Sequence, residues 1–308
     1  MTDIPLVILA AGMSSRYGRL KQVDPMGPEG ESIMDYNAYD AARAGFTRLI
    51  YIVRPEIEET VRRHVLGVLG DGIPVSFLHQ RMEDVPEGFR APPDRKKPWG
   101  TAQAVLCARH EVEGPFAVCN ADDLYGADAF QQLHDHLASH GDDREGALVG
   151  YRLEDTLSGQ GGVARGIYVL RRDGLLDRVT EVRHIKRVEG WISGDTTEGD
   201  RVELQGDEVV SMNLWGFTPG IMDSMLRQFR RFLDRFGGDT DAEFLLSTAI
   251  NSQVQVGNTG IHVLQSADRW FGVTHAGDRE HALERLRRRV EDGRYPTSLG
   301  DAIRALKS

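Results

Sequence analysis

Residues 6–18 read LVILAAGMSSRYG, and this stretch decides the fold class. It begins as a continuous apolar run, which is typical of a strand that is covered on both faces of a sheet. The chain leaves that strand through Ala10, Ala11 and Gly12, whose small side chains let a ligand approach the main chain. Successive backbone N–H groups in such a turn can form an anion cradle. The stretch therefore predicts a buried strand that ends in a phosphate-binding loop, with a glycine-rich turn that binds nothing as the alternative.

Strand and helix patterns alternate after this first run. The alternating segments are 33–46, 48–54, 56–69, 74–80, 101–110 and 115–123. Such alternation predicts βαβ units and an α/β fold with a mostly parallel sheet flanked by helices. From about 161 to 217, β-like runs separated by turns predict a smaller antiparallel lobe. We predict one catalytic domain over 1–276, which includes this lobe, and a helical tail over 277–308.

Composition limits the partners and the compartment. The 308-residue chain is long enough for a sizeable core, and its formal net charge of −10 argues against general nucleic-acid binding. Its two cysteines, Cys107 and Cys119, lie among apolar residues and suggest a reducing compartment. The N-terminal apolar run is short and follows Asp3 instead of basic residues, so a signal peptide is not indicated. We expect a cytoplasmic protein without a nucleic-acid or membrane partner.

Positive charge follows the first loop at Arg16 and Lys21. In open α/β sheets, ligands bind beyond the carboxyl ends of the strands, so both side chains would stand at the mouth of a ligand site. The loop lacks the G-x-G-x-x-G of dinucleotide-binding proteins and the G-K-[ST] of P-loop proteins. The loop therefore predicts a phosphate site of another type.

Carboxylates follow the fourth apolar run, which ends in VCNADD at residues 118–123. Asp122 and Asp123 would lie directly after a buried strand, where a hard cation such as Mg²⁺ can be held against phosphate oxygens. Asp123 is either a second ligand or an acid at a helix N-terminus, and we favour the second interpretation.

The segment LAAGMSSRYGRLKQ, residues 9–22, resembles the L-A-A-G-x-G-x-R-[FYM]-x…K loop of nucleotidyltransferases. These enzymes join a sugar 1-phosphate to a nucleoside triphosphate and release pyrophosphate; glucose-1-phosphate thymidylyltransferases and N-acetylglucosamine-1-phosphate uridylyltransferases are examples. The resemblance implies a Rossmann-like, GT-A-like nucleotidyltransferase fold over roughly residues 4–276. It places Ala10, Ala11, Gly12 and Ser14 at the nucleotide, although Ser14 stands where the family usually has its second glycine. It also makes Arg16 and Lys21 the catalytic cations, at the pyrophosphate and the α-phosphate respectively.

Two further motifs resemble the family's base-reading pair. Gln80 ends the third apolar run, and Gly100 and Thr101 open the next helical pattern in KKPWGTAQAV, residues 96–105. A glutamine amide matches the donor and acceptor edge of a pyrimidine, and Gly100 permits close approach. The resemblance therefore assigns all three residues to the base and favours UTP or dTTP. Taken singly, Gln80 could be a solvated strand end and Thr101 a plain N-cap.

The resemblance also implies the metal ligands. In the family an aspartate after a glycine binds the metal; here Ala121 replaces that glycine and Asp122 falls on the matching position. The second family ligand is an Asp or Asn late in the chain. RWFGVTHAGD, residues 269–278, aligns either Gly272 or Thr274 with that position. We therefore leave the second Mg²⁺ ligand open between Thr274 and Asp278.

Three segments of the predicted lobe resemble the family's acceptor site. They are GGVARGI at 161–167, VTEV at 179–182 and SMNLWGF at 211–217. By resemblance, Gly162, Arg165, Glu181 and Asn213 contact the sugar, while Ala164 departs from the family's glycine. The alternative is that all four are surface hairpin residues.

The function that these motifs imply is Mg²⁺-assisted transfer of a nucleotidyl group to a sugar 1-phosphate, which gives a nucleotide sugar. Two alternatives stay open. One is a cytidylyltransferase that acts on a polyol or amino-alcohol phosphate, and the other is a non-catalytic nucleotide sensor that keeps the fold.

One histidine-rich segment is left outside this interpretation. HDHLASH, residues 134–140, is predicted to lie on a solvated helix instead of binding zinc, since positions two apart on a helix face different directions. Replacement of His136 is accordingly expected to have no effect.

Overall fold

The computed structural model describes residues 2–13, 20–140, 145–159, 161–196, 199–272 and 278–306. Four parallel strands lie in the order β4-β1-β2-β3. Their bounds are β1 Pro5–Leu9, β2 Arg48–Val53, β3 Val75–His79 and β4 Phe116–Asn120. The carboxyl ends of these strands meet at one edge of the sheet, and the loops that the sequence analysis singled out follow three of them.

Antiparallel strands extend the sheet beyond β4 through β11, β7, β8, β9 and β10, while β6 pairs with β11 and with a parallel strand β12. Two short strands, β5 and β13, pair separately. The bounds are β5 Asp123–Leu124, β6 Glu145–Arg152, β7 Val163–Leu170, β8 Leu176–Val188, β9 Trp191–Thr196, β10 Arg201–Leu204, β11 Val209–Phe217, β12 Gly260–Gln265 and β13 Phe271–Gly272. The predicted antiparallel strands are present as β7 to β11, and they lie within residues 163–217.

Helices cover both faces of the sheet. They are α1 Ile33–Ala44, α2 Pro55–Leu69, α3 Thr101–Leu106, α4 Ala127–Ser139, α5 Gly220–Phe236, α6 Leu246–Gln255, α7 Asp278–Glu291 and α8 Leu299–Ala305. Leu6 and Ile8 of β1 pack with α1, α2, α4, α7 and α8, whereas Val7 packs with α3, α5 and α6. The apolar run thus alternates between two cores, which confirms the predicted α/β fold with a sheet buried on both faces.

The helix boundaries follow local signals with two exceptions. Gly45 ends α1 in the left-handed region, at φ 106°, as its position predicts. Helix α6 begins only at Leu246, because the backbone of Phe244 is hydrogen-bonded to the residues that flank the start of α3. The Phe244 N–H donates to the Trp99 carbonyl at 2.6 Å, and the Ala102 N–H donates to the Phe244 carbonyl at 3.0 Å. Helix α3 is short because i→i+3 bonds tighten its end after Leu106.

The C-terminal helices pack on the same core as the parallel strands. Leu286 of α7 and Leu299 of α8 are buried in the cluster that contains Leu6 and Ile8. The Tyr295 hydroxyl donates to Asp40 Oδ2 at 2.7 Å, which ties the tail to α1. The predicted tail is therefore helical, while its separation from a catalytic domain at residue 276 stays a prediction. No helix within the described ranges has the length and apolar character needed to cross a membrane.

The Asp40 contact makes stability depend on pH. Burial raises the pKa of the Asp40 carboxyl from 3.8 to about 7, although the Tyr295 hydrogen bond opposes the shift. The folded chain therefore holds a proton that the unfolded chain loses, so the wild-type free energy of unfolding falls as the pH rises from 4 to 7. We expect Asp40→Asn to raise that free energy at pH 8 by on the order of 2 kcal/mol, because it removes a buried charge.

Urea unfolding at pH 4 and pH 8 measures this effect. The gain from Asp40→Asn is expected to shrink at pH 4, where the buried carboxyl of the folded wild type is protonated and carries no charge. Asp234→Asn is the matched control, because Asp234 is exposed on α5. Equal effects of Asp40→Asn at both pH values would contradict the assignment.

Candidate active site

Two adjoining clefts open at the carboxyl ends of β1, β3 and β4. The main cleft has a volume of about 780 Å³, and the side cleft, toward the antiparallel lobe, has a volume of about 310 Å³. The predicted site residues on the wall of the main cleft are Ala11, Gly12, Lys21, Gln80, Gly100, Thr101, Asp122 and Asn213. Those on the wall of the side cleft are Asp122, Arg165, Glu181 and Asn213. Residues distant in sequence thus meet in one place.

The loop after β1 is held from behind by two side chains. Arg54 Nε donates to the Ala11 carbonyl at 3.1 Å, and Gln22 Nε2 donates to the Gly12 carbonyl at 3.0 Å. In a trans peptide the N–H points away from the carbonyl of the same peptide unit, so the N–H groups of Gly12 and Met13 point away from Arg54 and Gln22. The sequence analysis missed the role of both side chains: Gln22 is the last residue of the quoted segment 9–22, and Arg54 directly follows β2.

Ala10 requires a correction. Its N–H donates to the Ile52 carbonyl at 2.9 Å, and its side chain is buried in the core. Ala10 therefore continues the pairing with β2 and cannot offer its N–H to a nucleotide, because the donor is already used. Ser14 and Arg16, the other predicted residues of this loop, lie outside the described residues.

An ion pair stands where the two clefts meet. Lys21 Nζ lies 3.6 Å from Asp122 Oδ2, and the Lys21 side chain is only 15% exposed whereas that of Asp122 is 43% exposed. Lys21 begins a single 3-10 turn, Lys21–Val23, and Asp122 follows β4. A cation and a carboxylate at this junction can contact a phosphate and a metal ion together.

Gln80 is oriented by its own hydrogen bonds. Its Nε2 donates to the Gly100 carbonyl at 2.9 Å and to Gln103 Oε1 at 2.7 Å. Both amide hydrogens are thus used within the protein, and the carbonyl oxygen is the group that Gln80 offers to a ligand. Gln103, on α3, is a third residue that the sequence analysis missed.

Only glycine fits at position 100, for two reasons. Its φ is +102°, and a Cβ there would lie 2.6 Å from the Phe244 carbonyl oxygen. The next residue, Thr101, begins α3, and its hydroxyl accepts a hydrogen bond from the Leu246 N–H at 2.9 Å. Thr101 is therefore no plain N-cap: it joins the starts of α3 and α6 at the main cleft.

Asp123 does not lie at a helix N-terminus, contrary to the favoured interpretation. It belongs to β5, it pairs with Gly272 of β13, and α4 begins only at Ala127. Its Oδ2 accepts a hydrogen bond from Asn120 Nδ2 at 2.8 Å. Burial, followed by the nearby Asp122 charge, raises the pKa of the Asp123 carboxyl to about 7. A buried carboxylate beside a second one is a strong candidate for cation binding.

Gly272 explains how Asp123 is accommodated. A Cβ at this position would collide with Asp123 Oδ1, so glycine leaves the space that the carboxylate fills. Gly272 has no ligating side chain. Of the two residues left open as a second metal ligand, Thr274 lies outside the described residues, and Asp278 opens α7 without a described side chain.

Tyr125 links the end of β4 to β11 in the antiparallel lobe. Its hydroxyl accepts from the Asn120 N–H at 3.0 Å and donates to the Met212 carbonyl at 2.7 Å. Next to Met212, Asn213 has a φ of +61° within an irregularity of β11 and lines both clefts. Asn120 also lines both clefts, and its place directly before Ala121 and Asp122 is the signal that could have identified it.

Arg165 is held at the side cleft by the short helix Leu153–Thr156. Its Nε and Nη2 donate to Thr156 Oγ1 and the Thr156 carbonyl at 3.1 and 2.6 Å, and its guanidinium lies 5.4 Å from the Trp270 ring centroid. Burial lowers the pKa of Arg165, although the charges of Asp123 and Glu181 oppose that shift. The guanidinium therefore provides a largely buried positive charge at the side cleft.

Two residues of the predicted acceptor site, Glu181 and Gly162, differ in position. Burial raises the pKa of Glu181 at the side cleft, with Arg183 and Arg165 acting against it. Gly162 is exposed beside the backbone of His184 and is not part of either cleft wall, so the structure does not bring it to the site. Trp270, which lines the side cleft, was not anticipated.

Comparisons with known proteins agree with this geometry. Residues 6–188 match the sequence model of a family described as nucleotidyl transferase. No curated protein sequence matches the chain. Among solved structures, the fold is similar to that of the inositol-1-phosphate CTP transferase from T. maritima, with a TM-score of 0.60 and 13% sequence identity. The similarity covers 92% of this chain and 96% of that one.

Proposed function

Because this chain belongs to the nucleotidyl transferase family, we propose that it transfers a nucleotidyl group from a nucleoside triphosphate to a sugar 1-phosphate and releases pyrophosphate. The observation that supports this most directly is the ion pair of Lys21 and Asp122 at the junction of the two clefts. The main cleft would hold the nucleotide and the side cleft the acceptor. A non-catalytic sensor would not need a cation and a carboxylate at that junction.

The reaction requires the two substrates to meet at the α-phosphorus. An acceptor phosphate oxygen attacks that atom, a new P–O bond forms, the bond to the β-phosphate oxygen breaks, and pyrophosphate leaves with the electron pair. Asn120, Asp122 and Asn213 line both clefts, so this is where the acceptor and the α-phosphate would be adjacent. Positioning and charge neutralisation supply most of the rate enhancement in such reactions.

Lys21 would contact the α-phosphate and the attacking oxygen, because its ammonium group is beside Asp122 and lines the main cleft. Arg16, outside the described residues, would stabilise the leaving pyrophosphate. The N–H groups of Gly12 and Met13 would contact the phosphates, since both residues line the main cleft.

The residues fit a Mg²⁺ ion, which would neutralise phosphate charge when bound. Asp122 is a partly exposed carboxylate at both clefts, and the adjacent Asp123 carboxylate fills the space left by Gly272. Magnesium prefers oxygen ligands and is usually bound by one or two carboxylates together with substrate phosphates. We assign Asp122 as the first ligand and Asp123 as the second.

A second candidate acceptor is a polyol or amino-alcohol phosphate, with CTP as the donor. The orientation of Gln80 supports this candidate as well as UTP or dTTP, because its free carbonyl oxygen can accept from the amino group of cytosine or from the imide N–H of uracil and thymine. The similar solved structure is that of an inositol-1-phosphate CTP transferase. Glu181 and Asn213 suit hydroxyl groups on either class of acceptor.

Pyrophosphate release in the presence of Mg²⁺ tests the proposal. UTP, dTTP, CTP, ATP and GTP would each be combined with a panel of sugar 1-phosphates, polyol phosphates and amino-alcohol phosphates. We expect release that needs one nucleotide and one sugar 1-phosphate. Release only with CTP and a non-sugar phosphate would support the second candidate. Binding of nucleotides by thermal shift without any release would overturn both and favour a sensor.

A further inference from the structure

We propose that His140, Glu145 and His262 form a binding site for a divalent transition metal, with Zn²⁺ as the best-fitting ion. Their ligand atoms lie within 4.8 Å of one another, and two imidazoles with one carboxylate are a common zinc ligand set. Zinc ligands stand 2.0–2.2 Å from the ion, which places them roughly 3.4 Å apart in a tetrahedron. Small side-chain rotations would therefore bring the three ligand atoms to tetrahedral spacing, and a water molecule would be the fourth ligand.

The fold brings these three residues together from distant parts of the chain. His140 directly follows the C-terminal end of α4, and Glu145 begins β6. His262 pairs with Ala147 in the parallel register of β6 and β12, so Glu145, two residues before Ala147, lies on the same face as His262. A bound ion would fasten the end of α4 to the outer strand β12.

His136 provides the wall of this site. Its ring stacks on that of His140 at 4.1 Å and 15°, and it lies 4.9 Å from the ring of His262. Two nearly parallel stacked rings cannot both point a nitrogen at one ion, so His136 is not counted as a ligand.

The prediction of a solvated helix over 134–140 is therefore wrong for His136, which is 8% exposed. Its Nε2 is buried without a hydrogen-bond partner among the described residues. The reason is helical geometry: His136 and His140 are four positions apart and share one side, whereas His134 faces Phe46. Glu145 and His262 come close to His140 only through the pairing of β6 with β12.

The site lies at the opposite edge of the sheet from the clefts. β6 and β4 both run antiparallel to β11, and Glu145, at the amino end of β6, is therefore at the amino-end side of β4. His140 is exposed and the other two ligands are half-buried, so an ion can enter from solvent. A metal here would stabilise the fold without contacting the substrates.

Calorimetric titration of the metal-free, untagged full chain with Zn²⁺ tests this inference, with excess Mg²⁺ present to fill oxygen-only sites. We expect one Zn²⁺ per chain, a higher Tm, and a visible absorption spectrum of bound Co²⁺ typical of four-coordination. His262→Gln and Glu145→Gln are each expected to weaken Zn²⁺ binding at least tenfold. His110→Gln, at an exposed histidine elsewhere on the chain, is the matched control and should leave binding unchanged.

Two results would overturn the site: no Zn²⁺ binding by the wild-type chain, or equal binding by the wild type and by Glu145→Gln. If His262→Gln lowers stability, Glu145→Gln still tests the site, because it changes a partly exposed side chain. Pyrophosphate release is expected to be the same with and without Zn²⁺, so a failure of the proposed function does not affect this test.

Discussion

Replacing Lys21 with alanine is expected to lower kcat/KM for pyrophosphate release by about a hundredfold or more, a loss on the order of 3 kcal/mol. The Lys21 ammonium lies 3.6 Å from Asp122 and is mostly shielded from solvent, so its charge acts in a poorly screened site. The variant removes that charge where negative charge accumulates on the α-phosphate and the attacking oxygen. Steady-state kinetics on the substrate pair found by the panel measures the loss.

Lys186→Ala is the matched control for Lys21, because Lys186 is exposed on β8 in the lobe. It should retain wild-type turnover. Lys21→Arg keeps the charge but changes its geometry, so it is expected to recover only part of the activity. Near-wild-type turnover of a folded Lys21→Ala protein would rule out the assigned role.

Asp122→Asn is expected to cause a loss of similar size, on the order of 3 kcal/mol or more, together with a higher Mg²⁺ concentration for half-maximal activity. The change keeps the shape of the side chain and removes the negative charge that would hold the ion. A Mg²⁺ titration of activity distinguishes a loss of metal binding from a structural effect, because a purely structural role would lower kcat without shifting the Mg²⁺ requirement.

Asp234→Asn, at an exposed acid on α5, controls for the loss of one negative charge. Because Lys21 and Asp122 are in contact, the double variant is expected to lose less activity than the two single losses added together. Strict additivity would mean that the two side chains act separately, and an unchanged Mg²⁺ requirement in Asp122→Asn would remove Asp122 from the metal site.

Local patterns were sufficient for most of the fold and for the position of the candidate site. Continuous apolar runs predict the parallel strands, and Gly45 ends α1 as expected. The residues that follow β1, β3 and β4 converge on the main cleft because carboxyl ends of parallel strands share one edge. Gly12, Gln80 and Asp122 could be selected in advance for this reason, before any contact was known.

Contacts between distant segments decided the rest. Only strand pairing shows that the Ala10 N–H is used by Ile52, because a one-residue difference in register decides whether a donor is available. Only the meeting of β5 with β13 shows that Gly272 leaves space for Asp123. The fold class, and the edge of the sheet at which the candidate site lies, were thus determined by the sequence alone. The second carboxylate and the histidine cluster depend on long-range packing, which local sequence patterns do not encode.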